Sequence, residues 1–383
     1  MHEPRSTAET AALVCEAVSA GTKLEIRGGG SRAGIGTPDR NAELLSTAGL
    51  HGIIAYDPEE LVLTARAGTP LSELEAAVEE HKQALAFEPW GAPGSTIGGV
   101  IGAGISGSGR VSAGAVRDHL LGFEAISGRG EHFIAGGKVV KNVTGYDLSK
   151  LMCGSWGRLA VLTEITLKVL PRPAERLTLC WRELGMQPAF NLMGRAMCLP
   201  ADVAATAHLP ESGETLVRIE GFAPSVAARA KMLRQRLAQF GEANFMPSGE
   251  ANAAWAKLRG AAGLDGAATL WRISVPRCAG AGIVTTLARS ESRWLADWAG
   301  GLIWLARDGH SELIRQTVQA AGGHATLVHA PNALRATVPA LHPLAPGLAT
   351  LTTRVRHSFD PLGVFETGRF LDEAFALDVA NAN

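Results

Sequence analysis

A run of three glycines between two arginines is the first stretch of the chain that could bind an anion. Residues 27–32 read RGGGSR and follow a short apolar stretch that predicts a strand. Successive backbone N–H groups in such a turn can converge on a phosphate, and Ser31 and Arg32 can add donors. The alternative is a surface turn without a ligand. The letters also satisfy G-x-G-x-x-A, but glycines and Pro38 follow where a Rossmann loop requires a helix, so we do not expect a Rossmann domain.

A second cluster of small residues lies at 91–114, where GAPGSTIGGVIGAGISGSGRVSAG contains nine glycines. Glycine lets the backbone approach a flat ligand closely, because no Cβ stands in the way. The hydroxyls of Ser95, Thr96 and Ser106 can donate to phosphate oxygens or ring heteroatoms. The G-x-G-x-x-G match at 102–107 also lacks a following helix. The cluster therefore favours a nucleotide-type ligand held outside a Rossmann fold.

Residues 136–173 complete a series of motifs in a fixed order. They read GGKVVKNVTGYDLSKLMCGSWGRLAVLTEITLKVLPRP. Together with RGGGSR and PGSTIGGVIGAGISG, this stretch resembles the FAD-binding domain of the vanillyl-alcohol oxidase / p-cresol methylhydroxylase (PCMH-type) superfamily. The segments KNVTGYDLSKLMCGS and RHSFDPLGVFETGRF are most similar to the FAD-binding subunits of bacterial glycolate oxidases. The motifs cover residues 8–173 and roughly the last thirty residues, while the middle resembles the family in layout only.

The resemblance implies FAD as the cofactor and suggests which residues hold it. The pyrophosphate loop would be Gly28, Gly29, Gly30 and Ser31. The pyrophosphate and the approach to the isoalloxazine would be lined by Ser95, Thr96, Gly98 and Gly99. The backbone running past the flavin ring would include Gly104, Ser106 and Gly107. The adenosine end or the ring edge would be contacted by Gly157, Val161 and Ile165.

Two further groups have both a binding and a structural interpretation. Asn142, in the signature segment with Gly145, Tyr146 and Asp147, either contacts the flavin or belongs to a turn that closes the domain core. Arg117 and Asp118 are expected to form an ion pair that fixes the same wall. The structural interpretation is favoured for this pair, and both interpretations stay open for the signature segment.

The sequence also bears on covalent attachment and on metals. Histidine and cysteine are absent from residues 94–118, where many superfamily members tether FAD, so we expect non-covalent FAD. Related D-2-hydroxyacid dehydrogenases carry a metal-binding H-x-G-D-G-N-x-H segment where this chain reads GGHATLVHAPNALR. His324 and His329 remain, but a five-residue spacing places them on opposite faces of a strand, so no metal site is expected.

Oxidation of a 2-hydroxyacid needs a group that holds the carboxylate and a base that takes the hydroxyl proton. The planar fork of arginine matches a carboxylate. Arg272, between apolar residues in TLWRISVPR, is the candidate, with Arg277 and Arg369 weaker ones. An ordinary ion pair is the alternative for each of them. The sequence singles out no base among His310, His324, His329 and His357.

The resemblance implies the FAD subunit of a complex that oxidises glycolate, a 2-hydroxyacid, to glyoxylate. The expected partners are a paralogous FAD subunit and an iron–sulfur subunit that receives the electrons. The alternative is a non-catalytic or electron-relay subunit that stabilises a sister flavoprotein, and a free-standing flavin oxidase is a third possibility.

The tryptophans Trp294, Trp298 and Trp304 either form a partner surface or, as we favour, fill the core of the second domain. The C-terminal FDPLGVFETGRF has Glu366 and Thr367 where family members often have Asn-Pro. An active-site role for this segment is therefore in doubt, while its role of returning the chain to the first domain survives.

Composition excludes several other classes of protein. The chain has 383 residues, 46% of them hydrophobic, and a net charge of −1 without a basic stripe, so nucleic acid is an unlikely partner class. Five dispersed cysteines indicate neither a disulfide framework nor a cysteine-ligated cluster. Neither a secretory signal nor an apolar run of about 18 residues is found, so no transmembrane segment is expected. We expect a cytoplasmic chain that partner subunits could hold at the inner membrane.

The elements that must position these residues form two unlike halves. Pro171-Arg172-Pro173 separates a glycine-rich half from one in which amphipathic helices alternate with β-branched runs. The predicted fold class is α+β, a PCMH-type FAD-binding domain plus a ferredoxin-like α+β cap. The predicted domains are 1–173 for FAD, 174–345 for the cap and 346–383 for a segment returning to the FAD domain. Helices are predicted at 7–20, with Thr7 as N-cap, and at 280–287, and strands at ERLTLCW and VAATAHL.

Overall fold

The computed structural model describes residues 1–38, 41–137, 145–288 and 292–371. The chain divides into two compact units. The first contains the described residues of 1–106 and 114–172 and those from 343 onward. The second contains 107–113 and the described residues of 173–342. The units separate between Arg172 and Pro173, within the Pro-Arg-Pro sequence.

Both units contain helices and strands. The α-helices of the described residues are α1 Thr7–Ala20, α2 Leu71–Glu80, α3 Ile97–Ala103, α4 Arg110–Ala113, α5 Val116–His119, α6 Leu148–Met152, α7 Met186–Met197, α8 Ala223–Arg236, α9 Ser248–Gly260, α10 Gly280–Leu287, α11 Ser311–Ala320, α12 Asn332–Arg335 and α13 Pro346–Phe359. The strands are β1 Leu24–Arg27, β2 Glu43–Ser46, β3 Ile53–Asp57, β4 Val62–Arg66, β5 Gln83–Ala84, β6 Leu120–Ser127, β7 His132–Gly136, β8 Ala160–Lys168, β9 Leu170–Pro171, β10 Glu175–Trp181, β11 Val203–Leu209, β12 Glu214–Gly221, β13 Asn244–Met246, β14 Leu270–Ser274, β15 Arg293–Asp297, β16 Leu302–Ala306 and β17 His324–His329.

The first unit is built on a five-stranded antiparallel sheet with the order β3-β4-β8-β6-β7. Its main core packs α2 and α3 against this sheet and contains Phe87, Ile97 and Leu167. A parallel pair, β1–β2, lies beside α1 in a smaller core that includes Val14, Leu45 and part of β8. The glycine loop 28–34 leaves the end of β1, so this small core fixes where the loop begins.

The second unit consists of two βαββαβ repeats placed side by side. The first repeat is β10-α7-β11-β12-α8-β13 and the second is β14-α10-β15-β16-α11-β17. They join through the antiparallel pair β11–β15 into one eight-stranded sheet, β13-β10-β12-β11-β15-β16-β14-β17. A βαββαβ repeat with this strand order is ferredoxin-like. The predicted α+β class and the ferredoxin-like cap are therefore confirmed.

Several helix and strand predictions are confirmed and others need correction. The strands ERLTLCW and VAATAHL have the predicted bounds, and so does α10. Helix α1 also has its predicted bounds, but its N-cap is Ser6, whose hydroxyl accepts from the N–H of Glu9, and not Thr7. The glycine-containing α3 is not predicted by the sequence, since three glycines in seven residues disfavour a helix.

The last part of the first unit is anchored by one buried carboxylate. Asp360 is 5% exposed and accepts hydrogen bonds from the N–H groups of Val364 and Phe365, both 2.8 Å long. A Cβ on Gly128 would lie 2.3 Å from its Oδ1, so this turn of the β6–β7 hairpin fits closely against Asp360. The carboxylate thus fixes the segment after α13 to the first unit.

Replacing Asp360 with alanine is expected to lower the free energy of unfolding by roughly 2–4 kcal/mol, because two buried N–H groups lose their acceptor. Urea denaturation followed by circular dichroism measures this loss. Asp308→Ala, which alters an exposed residue of the second unit, is the control and should unfold like the wild type. Equal midpoints for the two variants would show that Asp360 does not anchor the segment.

Candidate functional site

The first unit contains an open pocket between the glycine loop after β1, the segment around α3 and the stretch before β8. The space in it, open mouth included, is about 870 Å³. It is lined by Ile26, Arg27, Gly28, Gly29, Gly30, Ser31, Arg32, Ala33, Thr47, Ala67, Trp90, Ser95, Thr96, Gly98, Gly99, Val100, Gly102, Ala103, Ser155, Trp156, Gly157, Ala160, Leu162 and Arg369. Residues from three separated glycine-rich stretches therefore meet in one concavity.

The floor of this pocket has the properties of an anion-binding nest. Within the described residues, none of the five successive N–H groups from Gly28 to Arg32 donates a hydrogen bond. Gly30 has a φ of 73°, which gives the loop its tight turn. The Ser95 hydroxyl donates to Ser31 Oγ at 3.0 Å, so the Ser31 proton is available to a ligand. Unpaired consecutive amides of this kind favour a phosphate or another anion.

Glycine is required where the loops around the pocket touch each other. A Cβ on Gly28 would lie 2.1 Å from Thr96 Oγ1, and one on Gly29 would lie 1.5 Å from the carbonyl oxygen of Gly94. A Cβ on Gly98 would lie 2.8 Å from the carbonyl oxygen of Ala67. The glycines therefore allow the two loops to approach until their backbones line one pocket.

The pocket is positively charged. Its lining includes Arg27, Arg32 and Arg369, and none of the described lining residues is an aspartate or a glutamate. Arg27 pairs with the buried Glu25 at 3.0 Å, whereas Arg32 stacks on the Trp90 ring with its guanidinium carbon 3.4 Å from the centroid. Burial lowers the pKa of Arg32 to about 10, so it stays protonated at neutral pH. A dianion such as a diphosphate matches both this charge and the open amides.

Most of the residues proposed for the cofactor come together in this pocket. The structure places there Gly28, Gly29, Gly30, Ser31, Ser95, Thr96, Gly98, Gly99 and Gly157. Thr96 is also the N-cap of α3, and its Oγ1 accepts from the N–H of Gly99. The side chain that begins the helix thus also faces the site.

Other proposed cofactor residues lie away from the pocket lining. Gly104 ends α3 in a left-handed conformation, and the Ser106 hydroxyl accepts from the N–H of Val116. Gly107 lies in the second unit, where its carbonyl accepts from Trp298 Nε1. Val161 and Ile165 are core residues of β8, while their neighbours Ala160 and Leu162 line the pocket. Asn142 lies outside the described residues.

The remaining signature and wall residues lie at the surface. Tyr146 is 92% exposed, and Asp147 caps α6, where Lys150 lowers the pKa of its carboxyl group through a hydrogen bond. Arg117 and Asp118 approach to 3.9 Å with both side chains exposed. Asp118 also accepts from the N–H of Ala115 at 2.8 Å, so its more definite role is to support the turn before α5.

Three large side chains of the pocket were not predicted from the sequence to line it, and Arg369 was considered only for a substrate carboxylate. Trp90 and Trp156 form part of its wall, and Arg369 comes from the C-terminal segment. Arg369 lies 213 residues after Trp156 in the chain, yet its guanidinium carbon is 5.5 Å from the Trp156 ring centroid. The sequence shows only that these residues are aromatic or cationic, and residue type alone does not indicate that they lie close together in the fold.

A second group of buried charges lies in the second unit, around Arg272 on β14. Arg272 is 6% exposed, and within the described residues its guanidinium makes no hydrogen bond. Its guanidinium carbon lies 5.0 Å from the Trp298 ring and 5.8 Å from the Trp304 ring. Burial and, to a smaller extent, the nearby cation Arg110 lower its pKa to about 10, while Asp297 acts in the opposite direction. The result is a buried cation whose hydrogen-bonding capacity is not used.

Asp297 is itself held in place within this group. It is 1% exposed and accepts from the Ser108 hydroxyl at 2.5 Å and from the N–H of Trp298 at 2.7 Å. Trp298 and Trp304 are buried, and Trp294 packs partly buried against the same unit's core. The interpretation of these tryptophans as core residues is confirmed.

The four histidines considered as bases have different surroundings. His310 begins α11 with a φ of 56°, and His357 lies on α13 in the first unit. His329 ends β17 and His324 begins it. Desolvation and the cations Arg272 and Arg110 lower the pKa of His324, so this histidine lies within electrostatic range of Arg272. Within the described ranges, no group of three or more His, Cys, Asp or Glu side chains could hold a metal.

Comparison with known proteins agrees with the pocket. Residues 1–136 match the family model of an FAD binding domain. Among solved structures, alkyldihydroxyacetonephosphate synthase has a TM-score of 0.67 at 14% identity, covering 96% of this chain and 76% of its own, which is a likeness of fold. The family model and the fold thus define an FAD-binding domain of the PCMH type, and the described lining residues fit the diphosphate of FAD.

Relatives in sequence identify the family to which the whole chain belongs. The glycolate oxidase subunit GlcE of Escherichia coli K12 is 37% identical over 368 residues, covering 94% of this chain and 96% of the relative. The chain belongs to the family of this GlcE subunit. The glycolate oxidase subunit GlcD of Bacillus subtilis is 31% identical over 226 residues, 57% of this chain and 47% of GlcD, so the match spans about half of that relative. A search of the described helices found none with the length and apolarity to span a bilayer.

Non-covalent FAD is expected, because the part of the pocket lining that the structure describes offers neither histidine nor cysteine to form a bond to the flavin. Acid precipitation of the yellow protein should release all of its 450 nm absorbance into the supernatant. Digestion of the pellet and mass spectrometry of its peptides provide the control. A flavin-modified peptide would contradict the expectation.

Proposed function

We propose that this chain is the FAD-binding subunit of a complex that oxidises glycolate, or a closely related 2-hydroxyacid, to glyoxylate or the corresponding 2-oxoacid. The observation that carries the proposal is the cationic pocket with five unpaired amides, in a chain similar throughout its length to a glycolate oxidase subunit. A paralogous FAD subunit and an iron–sulfur subunit that receives the electrons are the proposed partners, and these partners would hold the complex at the inner membrane from the cytoplasm.

We assign Arg272 to the carboxylate of the substrate. A buried guanidinium without a hydrogen-bond partner is costly, and a bidentate carboxylate would remove that cost. In the register of the sheet, Arg272 lies opposite Trp304 of β16 and Thr326 of β17. Its neighbours Trp271 and Ile273 belong to the core that contains α10 and α11. Arg272 therefore projects from the sheet face opposite those helices.

Removal of the hydroxyl proton needs a neutral base near that carboxylate site. His324 lies opposite Ser274 and two residues before Thr326, so its side chain shares the face of Arg272. Its lowered pKa keeps the imidazole neutral and able to accept a proton at neutral pH. FAD, when bound, supplies the acceptor for the hydride that leaves the carbinol carbon. Arg272 would orient the acid, and His324 would take the proton from its hydroxyl oxygen.

Anaerobic addition of glycolate to the purified, FAD-loaded chain tests this function. The 450 nm band should bleach, and glyoxylate should form in an amount equal to the flavin reduced. Methyl glycolate, which lacks the carboxylate charge, is the control and should bleach the band far more slowly. Two preparations are compared: the chain alone, and the chain with its partners except the sister FAD subunit. If glycolate leaves the flavin oxidised in both, the assignment of catalysis to this chain is wrong.

The second candidate is a flavoprotein subunit that supports a sister catalytic subunit without turning over substrate. The observation in its favour is that Arg272 is 6% exposed and lies close to two buried tryptophan rings. A substrate would have to displace part of this packing to reach the guanidinium. In that case glycolate would bleach flavin only when the sister subunit is present, and Arg272 variants would leave the turnover of the complex unchanged.

A further inference from the structure

The C-terminal segment 366–370 lies against the glycine loop of the first unit. The N–H of Thr37 donates to the carbonyl of Arg369 at 2.8 Å, and the Thr37 hydroxyl donates to the carbonyl of Gly368 at 2.6 Å. A Cβ on Gly36 would lie 2.3 Å from the carbonyl oxygen of Arg369. The end of the described chain therefore contacts the same loop whose amides form the floor of the pocket.

The segment is held in this position from both ends. Glu366 accepts from Arg356 at 3.0 Å and pairs with Arg158 at 3.6 Å. Phe370 is 7% exposed and packs edge-on to Trp156, with the ring centroids 5.6 Å apart. Arg369, between these anchors, is thus presented to the pocket by a packed segment and not by a free tail.

The guanidinium of Arg369 acts on the loop directly. Its Nε donates to the carbonyl of Ile35 at 3.1 Å and its Nη2 donates to the carbonyl of Arg32 at 2.7 Å. Two carbonyl oxygens of the loop therefore accept hydrogen bonds from the Arg369 guanidinium, while the amides from Gly28 to Arg32 stay unpaired. Arg369 also lines the pocket, where it and Arg32 add positive charge.

We propose that residues 366–370 complete the FAD site and that Arg369 is a binding residue for its diphosphate half. The guanidinium would stabilise the phosphates by its charge and keep the Arg32 and Ile35 carbonyls turned away from them. This inference concerns FAD affinity and does not depend on which substrate the complex oxidises. If the wild-type chain binds FAD but glycolate does not reduce the bound flavin, the proposed function is wrong and this inference is unaffected.

The test is the dissociation constant of FAD for the full-length chain carrying Arg369→Ala, Arg369→Lys or Arg354→Ala. Flavin fluorescence measures it for the FAD-depleted protein. Arg354 is an exposed arginine of α13 and serves as the matched control. Loss of a charged hydrogen-bonding group is expected to weaken FAD binding by about 10–100-fold in R369A, with R369K intermediate and R354A equal to the wild type. The salt dependence of FAD binding should also become shallower in R369A.

Two simpler ligands locate the effect within FAD. ADP contains the diphosphate and adenosine, whereas riboflavin contains the isoalloxazine and no phosphate. R369A should weaken ADP by the same factor as FAD and leave riboflavin unchanged. Circular dichroism establishes that the variants are folded. If R369A is not folded, the FAD affinity of R369K is compared with that of R354A instead. FAD affinities of R369A or R369K within twofold of R354A would overturn the inference, as would an equal loss for riboflavin, which would indicate a general collapse of the pocket.

Discussion

Gly29→Ala is expected to bind FAD at least about 100-fold more weakly than the wild type. The added Cβ would lie 1.5 Å from the carbonyl oxygen of Gly94 and 2.6 Å from its carbonyl carbon. Both are backbone atoms, so no flexible side chain can move aside. The glycine loop must therefore separate from the segment before α3, and the pocket between them must change shape. A titration with FAD followed by flavin fluorescence measures the loss.

Gly34→Ala provides the matched control in the same loop. A Cβ at Gly34 would meet no atom within 4 Å, and its backbone does not adopt the left-handed conformation. G34A should therefore bind FAD like the wild type and unfold at the same or a slightly higher temperature. Comparable FAD affinities for G29A and G34A would contradict the close approach of the two loops on which the site depends.

Arg272→Met is expected to lower the second-order rate of flavin reduction by glycolate by about 100-fold, because the neutral side chain cannot pair with the substrate carboxylate. Methionine has a similar length and tolerates the apolar surroundings of Trp298 and Trp304, so the fold should be retained. The FAD content should equal that of the wild type, since Arg272 does not line the FAD pocket of the first unit. Anaerobic stopped-flow absorbance at 450 nm separates the rate of reduction from the binding of glycolate.

Two further variants distinguish binding from a structural role of Arg272. Arg272→Lys keeps the charge and should recover part of the rate, whereas a purely packing role would make Lys no better than Met. Arg236→Ala, at an exposed position on α8, should reduce like the wild type. If R272M is reduced by glycolate as fast as R236A, the carboxylate is bound elsewhere and Arg272 is a buried structural cation.

The parts of the fold that could be predicted from the sequence are those where local pattern and tertiary packing agree. The apolar positions of α1 recur at helical spacing and Gly21 ends the helix with a φ of 65°, so both ends of α1 are encoded locally. The strand VAATAHL is buried on both faces, and all of its residues except His208 and Leu209 are small or β-branched. Its bounds therefore follow from composition alone.

Three elements escape prediction because tertiary contacts override the local signal. Helix α3 contains three glycines, which allow its close approach to Ala67. Strand β15 lies in the tryptophan-rich region that also allowed a partner surface, but its Leu295 and Ala296 are buried and pair with β16. Helix α13 has no fully buried residue, so its sequence lacks a marked apolar stripe. For α3 the missing information lies in its tertiary contact with Ala67 and not in the local pattern.

Part of the candidate site could likewise be predicted from local sequence, whereas another part depends on tertiary contacts. The nest at Gly28–Gly30 and the hydroxyls of Ser95 and Thr96 could be proposed because short runs of glycine and hydroxyl residues are typical of loops that bind phosphate through their backbone. The contribution of Arg369 could not, since it depends on the packing of Phe370 against Trp156 and on hydrogen bonds to residues more than 330 positions earlier. The substitution of Glu366 and Thr367 for the usual Asn-Pro pair pointed away from the site. Yet Glu366 pairs with Arg356 and helps hold Arg369 against the pocket.

The central claim is that the unpaired amides from Gly28 to Arg32 hold the diphosphate of FAD. Hydrogen–deuterium exchange measures these amides directly when it is followed by mass spectrometry on the chain with and without saturating FAD. These amides should exchange near the unstructured rate in the FAD-free chain and at least about tenfold more slowly when FAD is bound. The amides of β10 and β11 in the second unit should change little. Unaltered exchange at residues 28–32 in a chain that has bound FAD would contradict the account, because the diphosphate would then lie elsewhere.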